Sequence, residues 1–226
     1  MRKLIIQQNQ VSYVGLFSKP AFSLWGNSSR ILEELYKAFS PYKVSLADFR
    51  QDYLFSVISD VSVTVFLGLN GNYKFKFDRV EASFSNFTDQ ELTGFPDVLS
   101  RGTDWLRSAI PDFSFQTHLF TYYNHSKLSE GTAKEFLLSF SQVSLNDIGI
   151  GLGNGLIFNW IEPKQERRVQ LTIDHSHAYA DALFIQFLMQ SVGDKIDYWE
   201  TAATGRSLLD SALAKIGFEI ETRVDT

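Results

Sequence analysis

Asp174-His175-Ser176-His177 is the one stretch of this sequence dense in groups that do chemistry. On an extended segment His175 and His177 point to the same face. Two imidazoles on one face, completed by a carboxylate, can hold Zn²⁺ or another transition metal. Asp174 falls on the opposite face of a regular strand. Asp181 is the better carboxylate if the chain turns into a helix at Ala178, and the two other histidines, His118 and His125, can join from a neighbouring strand. The chemistry this implies is a metal-dependent hydrolase or lyase with His175, His177 and Asp181 as ligands. Against it stands a plain strand end with satisfied histidines, because His-x-His is a short pattern.

Other candidates are weaker. Ser126 adjoins His125 and Ser176 sits between two histidines, but no Gly-x-Ser-x-Gly elbow is present. Gly149, Gly151, Gly153 and Gly155 are spaced by two, and position 154 is Asn where a dinucleotide fingerprint starting at Gly149 needs Gly. That spacing puts the glycines on one strand face, with Asn154–Gly155 as a hairpin turn into Leu156–Ile161. Glu33–Glu34 read as a solvated helix flank, and the Asp194, Asp197, Glu200 series, whose rhythm is roughly helical, reads as a charged solvent face, with cation binding as the alternative. No cofactor is expected, and catalytic residues are not assigned.

The elements that must position these groups follow from periodicity. Val11–Phe17 reads as a first strand that stops before Pro20. Ile31, Leu32, Leu35, Tyr36 and Phe39 recur at helical spacing behind an Asn27–Ser28 cap and ahead of Pro41. Val57–Leu69 and Tyr73–Phe77 alternate on either side of Asn70–Gly71, the strongest short-range hairpin signal. Val80–Phe87 adds a third strand. Thr88-x-x-Glu91 and Thr132-x-x-Glu135 match capping boxes, the second opening a short helix to about Phe140. A helix runs from about Pro96 to Ala109, and Phe113–Asn124 forms a long strand. Val169, Leu171 and Ile173 form another. Leu183, Phe184, Phe187, Leu188 and Val192 make one helical stripe. Leu208, Leu209, Ala212, Leu213 and Ile216 make a second, ended by Gly217, with Gly205 as a break or bend between them. Phe218–Val224 is a final strand or a tail. The order is not a β-α alternation. The expectation is a single α+β domain over 1–226, with an antiparallel-dominated sheet and helices packed on one face. The segments 57–109 and 145–216 could be two similar β-then-helix halves.

Composition excludes more than it assigns. The chain has 226 residues, 20 Phe, nine Tyr, four Trp and no Cys. Aromatics at this level favour a β-rich core, and the missing Cys excludes disulfides, thiol catalysis and cysteine-ligated zinc. The formal charge of -5 and pI near 5.4 carry no basic footprint for free nucleic acid. The densest basic stretch, Lys164, Arg167 and Arg168, has Glu162 and Glu166 among it and reads as a solvated turn or edge strand. Met1-Arg2-Lys3 is followed by too short an apolar run for a secretory signal, and no run reaches a membrane span. The expected location is cytoplasmic, with no membrane association.

Val80–Phe87, Trp105, Tyr122-Tyr123-Asn124 and Leu171-Thr172-Ile173-Asp174 occur in an order that resembles a sporadically distributed family of uncharacterised bacterial proteins. The resemblance spans about residues 11–216, and departs from the family pattern in having no Arg between Arg107 and Arg167. It implies an α+β layout somewhat like SecB-type export chaperones, and an accessory or partner-binding role. The leading expectation is therefore a non-enzymatic partner-binding protein: a complex subunit, an antitoxin-like or chaperone-like module, or a homodimer. The alternatives are the metal enzyme above and a nucleic-acid-associated subunit that touches nucleic acid only inside a larger defence or processing assembly.

Overall fold

The computed structural model describes residues 1–26, 28–52, 61–68, 70–140 and 155–221. Among the described residues, ten strands and six α-helices follow in the order β1 (Arg2–Phe17), α1 (Phe22–Trp25), α2 (Ser28–Phe39), β2 (Phe49–Asp52), β3 (Ser62–Phe66), β4 (Gly71–Lys76), β5 (Arg79–Ser85), α3 (Asp89–Leu92), α4 (Phe95–Ala109), β6 (Phe115–Leu128), α5 (Ala133–Leu138), β7 (Leu156–Glu162), β8 (Arg167–His175), β9 (Ala182–Val192), α6 (Tyr198–Lys215) and β10 (Phe218–Glu221). The fold is α+β. Its open, mainly antiparallel sheet has the order β2-β3-β4-β5-β1-β6-β9-β8-β7, with β10 added to β1 in parallel. By contact density the chain forms two compact units interleaved in sequence. One comprises 1–10, 121–189 and 203–226, and the other 11–120 and 190–202.

In the unit of 11–120 and 190–202, the alternation of β4 decides the packing. Tyr73 and Phe75 are fully buried while Lys74 and Lys76 lie on the other side. In register, Val65 and Val63 face Tyr73 and Phe75 from β3, and Ala82 and Val80 from β5. Two helices cover this apolar face. Phe39 of α2 reaches Tyr73 at a ring distance of 5.0 Å, and Trp105 of α4 meets Phe75 edge-on at 5.1 Å. At Gly102 α4 packs directly on the Tyr73 ring: a Cβ there would lie 2.3 Å from Tyr73 Cε2. Ile31, Leu35 and Phe39 are the fully buried stripe of α2, as their spacing predicts. Both capping boxes are present, Thr88 with Glu91 and Thr132 with Glu135. Pro96 falls in the first turn of α4, where its missing N–H costs nothing.

In the other unit, Tyr122, Val169, Leu171, Ile173, Ile185, Phe187 and Met189 are buried. Gly205 of α6 packs against Tyr122, Met189 and Phe187, so α6 runs through it unbroken. Phe136 of α5 contacts Phe218 at 4.5 Å.

Several expectations are corrected. Residues 182–192 form strand β9 rather than a helix. Ile185, Phe187 and Met189 alternate with Gln186, Leu188 and Gln190, a period of two that the helical stripe also fits over so short a run. β1 begins at Arg2, well before Val11, because Arg2–Ile5 pairs with Phe218–Glu221 more than 200 residues away. The β3–β4 hairpin forms, but Gly71 is already in β4 and Gly68 carries the positive φ of 73°. The connection is therefore longer than the two-residue turn read at Asn70–Gly71. The Asn27 cap, the start of the strand read at Val57, and the glycines at 149, 151 and 153 with Asn154 lie outside the described residues. No helix among the described residues is long and apolar enough to cross a membrane.

Candidate functional site

The four histidines take separate roles. His175 closes β8, and His177 lies beyond it in the exposed bend leading to β9. The His175 backbone N–H donates to Asp174 Oδ1 at 2.7 Å. Asp181 does not open a helix. It stands at φ 51° just before β9, and its Oδ1 accepts the Ala133 backbone N–H at 2.9 Å, tethering the start of α5. Among the described residues, no group of three or more His, Asp or Glu side chains is placed to hold a metal ion.

His125 on β6 reaches Ser176, with Nδ1 2.8 Å from the hydroxyl. That hydroxyl also accepts the backbone N–H groups of Ala178 and Tyr179. Ser176 is buried and its lone pairs are occupied by the turn, so it works as a turn-forming residue. Burial lowers the pKa of His125, and its ring packs against Tyr179 and Phe184.

His118 lies in a buried chain that sequence spacing did not reveal. Tyr13 on β1 stands 2.6 Å from its Nδ1. The Tyr13 hydroxyl is 3.3 Å from that of Tyr198, which is 2.6 Å from Thr103 Oγ1. His118 Nε2 lies 3.0 Å from the Gly193 carbonyl, which can only accept. Burial holds the imidazole pKa down at about 4, so the ring is neutral near pH 7. Nε2 then carries the proton and Nδ1 accepts from Tyr13. Tyr13 in turn accepts from Tyr198, and Tyr198 from Thr103, so the chain runs in one direction. Burial raises the pKa of Tyr13, Tyr73 and Tyr198, so all three stay protonated. Thr103 and Tyr198 also line a 410 Å³ surface cleft with Ser100, Asp104, Arg107 and Trp199. Arg107 is held there by Asp194 at 3.1 Å, and Asp194 also accepts the Phe115 N–H.

The third feature is β7, which among the described residues pairs with β8 alone. Its register with β8 places Phe158 and Trp160 opposite Leu171 and Val169, and Trp160 reaches Phe187 at 6.2 Å. On the other face Ile157 and Ile161 stand opposite Thr172 and Arg168. Ile157 is 61% exposed, Ile161 63% and Phe158 37%. The charged stretch that follows is the β7–β8 turn, as expected, with Lys164, Glu166 and Arg168 exposed, and the reading of it as solvated is corrected at two residues. Glu162 and Arg167 are 6% and 2% exposed. They face each other in register. Glu162 accepts the Lys164 and Gln165 backbone N–H groups. Arg167 bonds Gln165 and reaches Met189 Sδ at 3.9 Å. The turn folds back on its own charges, which composition along the chain does not reveal. The signal for β7 was present, in the uncharged run Leu156-Ile157-Phe158-Asn159-Trp160-Ile161.

No protein-family model matches the chain, and no curated protein matches it.

Proposed function

We propose that this chain is a non-enzymatic protein-binding module and that β7 is its contact strand. The observation that carries this reading is the exposure of Ile157 and Ile161 on β7. Each aliphatic or aromatic side chain of this size yields about 1.5–3 kcal/mol when fully removed from water. The polar groups singled out by sequence support the reading from the other side. Ser176 and Asp181 are engaged by backbone N–H groups, and His118 by Tyr13 and Gly193. The chaperone-like layout implied by the family resemblance is compatible with such a role.

Site-specific photocrosslinking in living cells tests it. A benzoylphenylalanine at position 158 is expected to yield a protein adduct, and the same residue at exposed Lys134 is expected to yield none. Equal yields at 158 and 134 would remove β7 as the contact strand.

A further inference from the structure

The 410 Å³ cleft at the end of the His118 chain has two walls. One face of α4 contributes Thr103, Asp104 and Arg107, whose spacing sets them on the same side of the helix. The segment leading into α6 contributes Lys195, Ile196 and Trp199. The volume lies within the range of small-molecule sites, about 300–1,000 Å³. Several polar groups around it are engaged by the fold itself. Arg107 pairs with Asp194. Asp197 caps α6 by accepting the Glu200 N–H at 2.9 Å. The Tyr198 hydroxyl lies between Tyr13 and Thr103. Other groups are left over. Thr103 gives its one hydroxyl proton to Tyr198, so toward the cleft its oxygen offers only lone pairs. Among the described residues neither the Asp104 carboxylate nor the Lys195 ammonium has a hydrogen bond or an ion pair. The Trp199 side chain stands 53% exposed beside them.

We propose that this cleft binds a free α-amino acid with an apolar or aromatic side chain. The ammonium group of such a ligand carries donors and a positive charge. It matches the α4 wall, where an acceptor oxygen and a carboxylate are sequence neighbours, Thr103 and Asp104. The ligand carboxylate matches Lys195, and its side chain matches Ile196 and Trp199. A simple anion would bring its charge to Asp104 unpaired, and a simple cation would do the same at Lys195. A zwitterion carries both charges a few bonds apart and answers both walls. The buried chain behind Thr103 strengthens the case. Because His118 Nε2 must donate to the Gly193 carbonyl, each later hydroxyl is oriented in turn, and the Thr103 oxygen is held as an acceptor before any ligand arrives. This inference is independent of the reading of β7.

Isothermal titration of the full chain tests it, with L-leucine, L-phenylalanine and L-tryptophan as probes, each beside its N-acetyl and carboxamide forms. At least one free amino acid is expected to bind. Its two blocked forms are expected to bind about 10-fold more weakly or worse, since each lacks one of the two charges. Asp104→Asn and Lys195→Met are each expected to weaken binding of the free amino acid by about 10-fold or more. Both side chains are exposed, so the melting temperature of either ligand-free variant should stay at the wild-type value. Thr103→Ser, which keeps the acceptor oxygen, should retain binding. Absence of binding by all three amino acids overturns the proposal. So does equal binding of either blocked form, or binding that either charge substitution leaves untouched.

Discussion

Below pH 6.5 the imidazole of His118 works against the fold. In the unfolded chain a histidine titrates near 6.5, whereas burial between Tyr13 and the Gly193 carbonyl lowers His118 to about 4. Between those values the unfolded chain holds a proton that the folded chain lacks. Stability is therefore complete above pH 6.5 and falls as the pH drops toward 4, by about 3 kcal/mol in full. Urea midpoints measured from pH 7 to pH 4 should show this slope, and His118→Gln should remove that component. Tyr13→Phe leaves Nδ1 without its donor in a buried site and should cost about 1–3 kcal/mol at pH 7. Gly102→Ala drives a methyl into the Tyr73 ring and should cost about 2 kcal/mol or more, read from the same unfolding curves.

At the scale of elements, short-range chemistry decided most of what formed. The two capping boxes bond as their Thr-x-x-Glu spacing requires: Thr88 accepts the Glu91 N–H at 3.2 Å and Thr132 the Glu135 N–H at 3.1 Å. Thr88→Ala and Thr132→Ala should each cost about 1 kcal/mol in chemical denaturation. The Thr132 variant should loosen amide protection locally at α5, whose first residue is also tied to Asp181. The stripe of α2 and the alternation of β4 were legible for the same reason, since each reports one face against one core. β9 was not legible as a strand. Its neighbours in the sheet, β6 and β8, supply the ladder that selects extended backbone, and that choice is made across the fold. The candidate site divides in the same way. The exposed isoleucines of β7 could be read from an uncharged run, whereas Tyr13, Thr103, His118 and Tyr198 come together from positions with no common period.

At the scale of the whole molecule, net charge sets the behaviour in solution. With pI near 5.4, repulsion between copies is least there. Solubility should therefore fall from pH 8 toward pH 5.4, as light scattering can follow.

The sequence by itself determined the α+β class, the positions of α2, α4 and α5 with their caps and breakers, and the strands on either side of the β3–β4 connection. These depend on side-chain period and on hydrogen bonds spanning a few residues. Only the tertiary structure decided that β1 starts at Arg2, that residues 182–192 are extended, that Glu162 and Arg167 are buried, and that His118 joins Tyr13 while His125 joins Ser176. Apart from the Glu162–Arg167 turn, which closes on itself and packs on Met189, each of those outcomes is set by partners tens to hundreds of residues away, and the free energy of such a partnership exists only once the sheet has assembled.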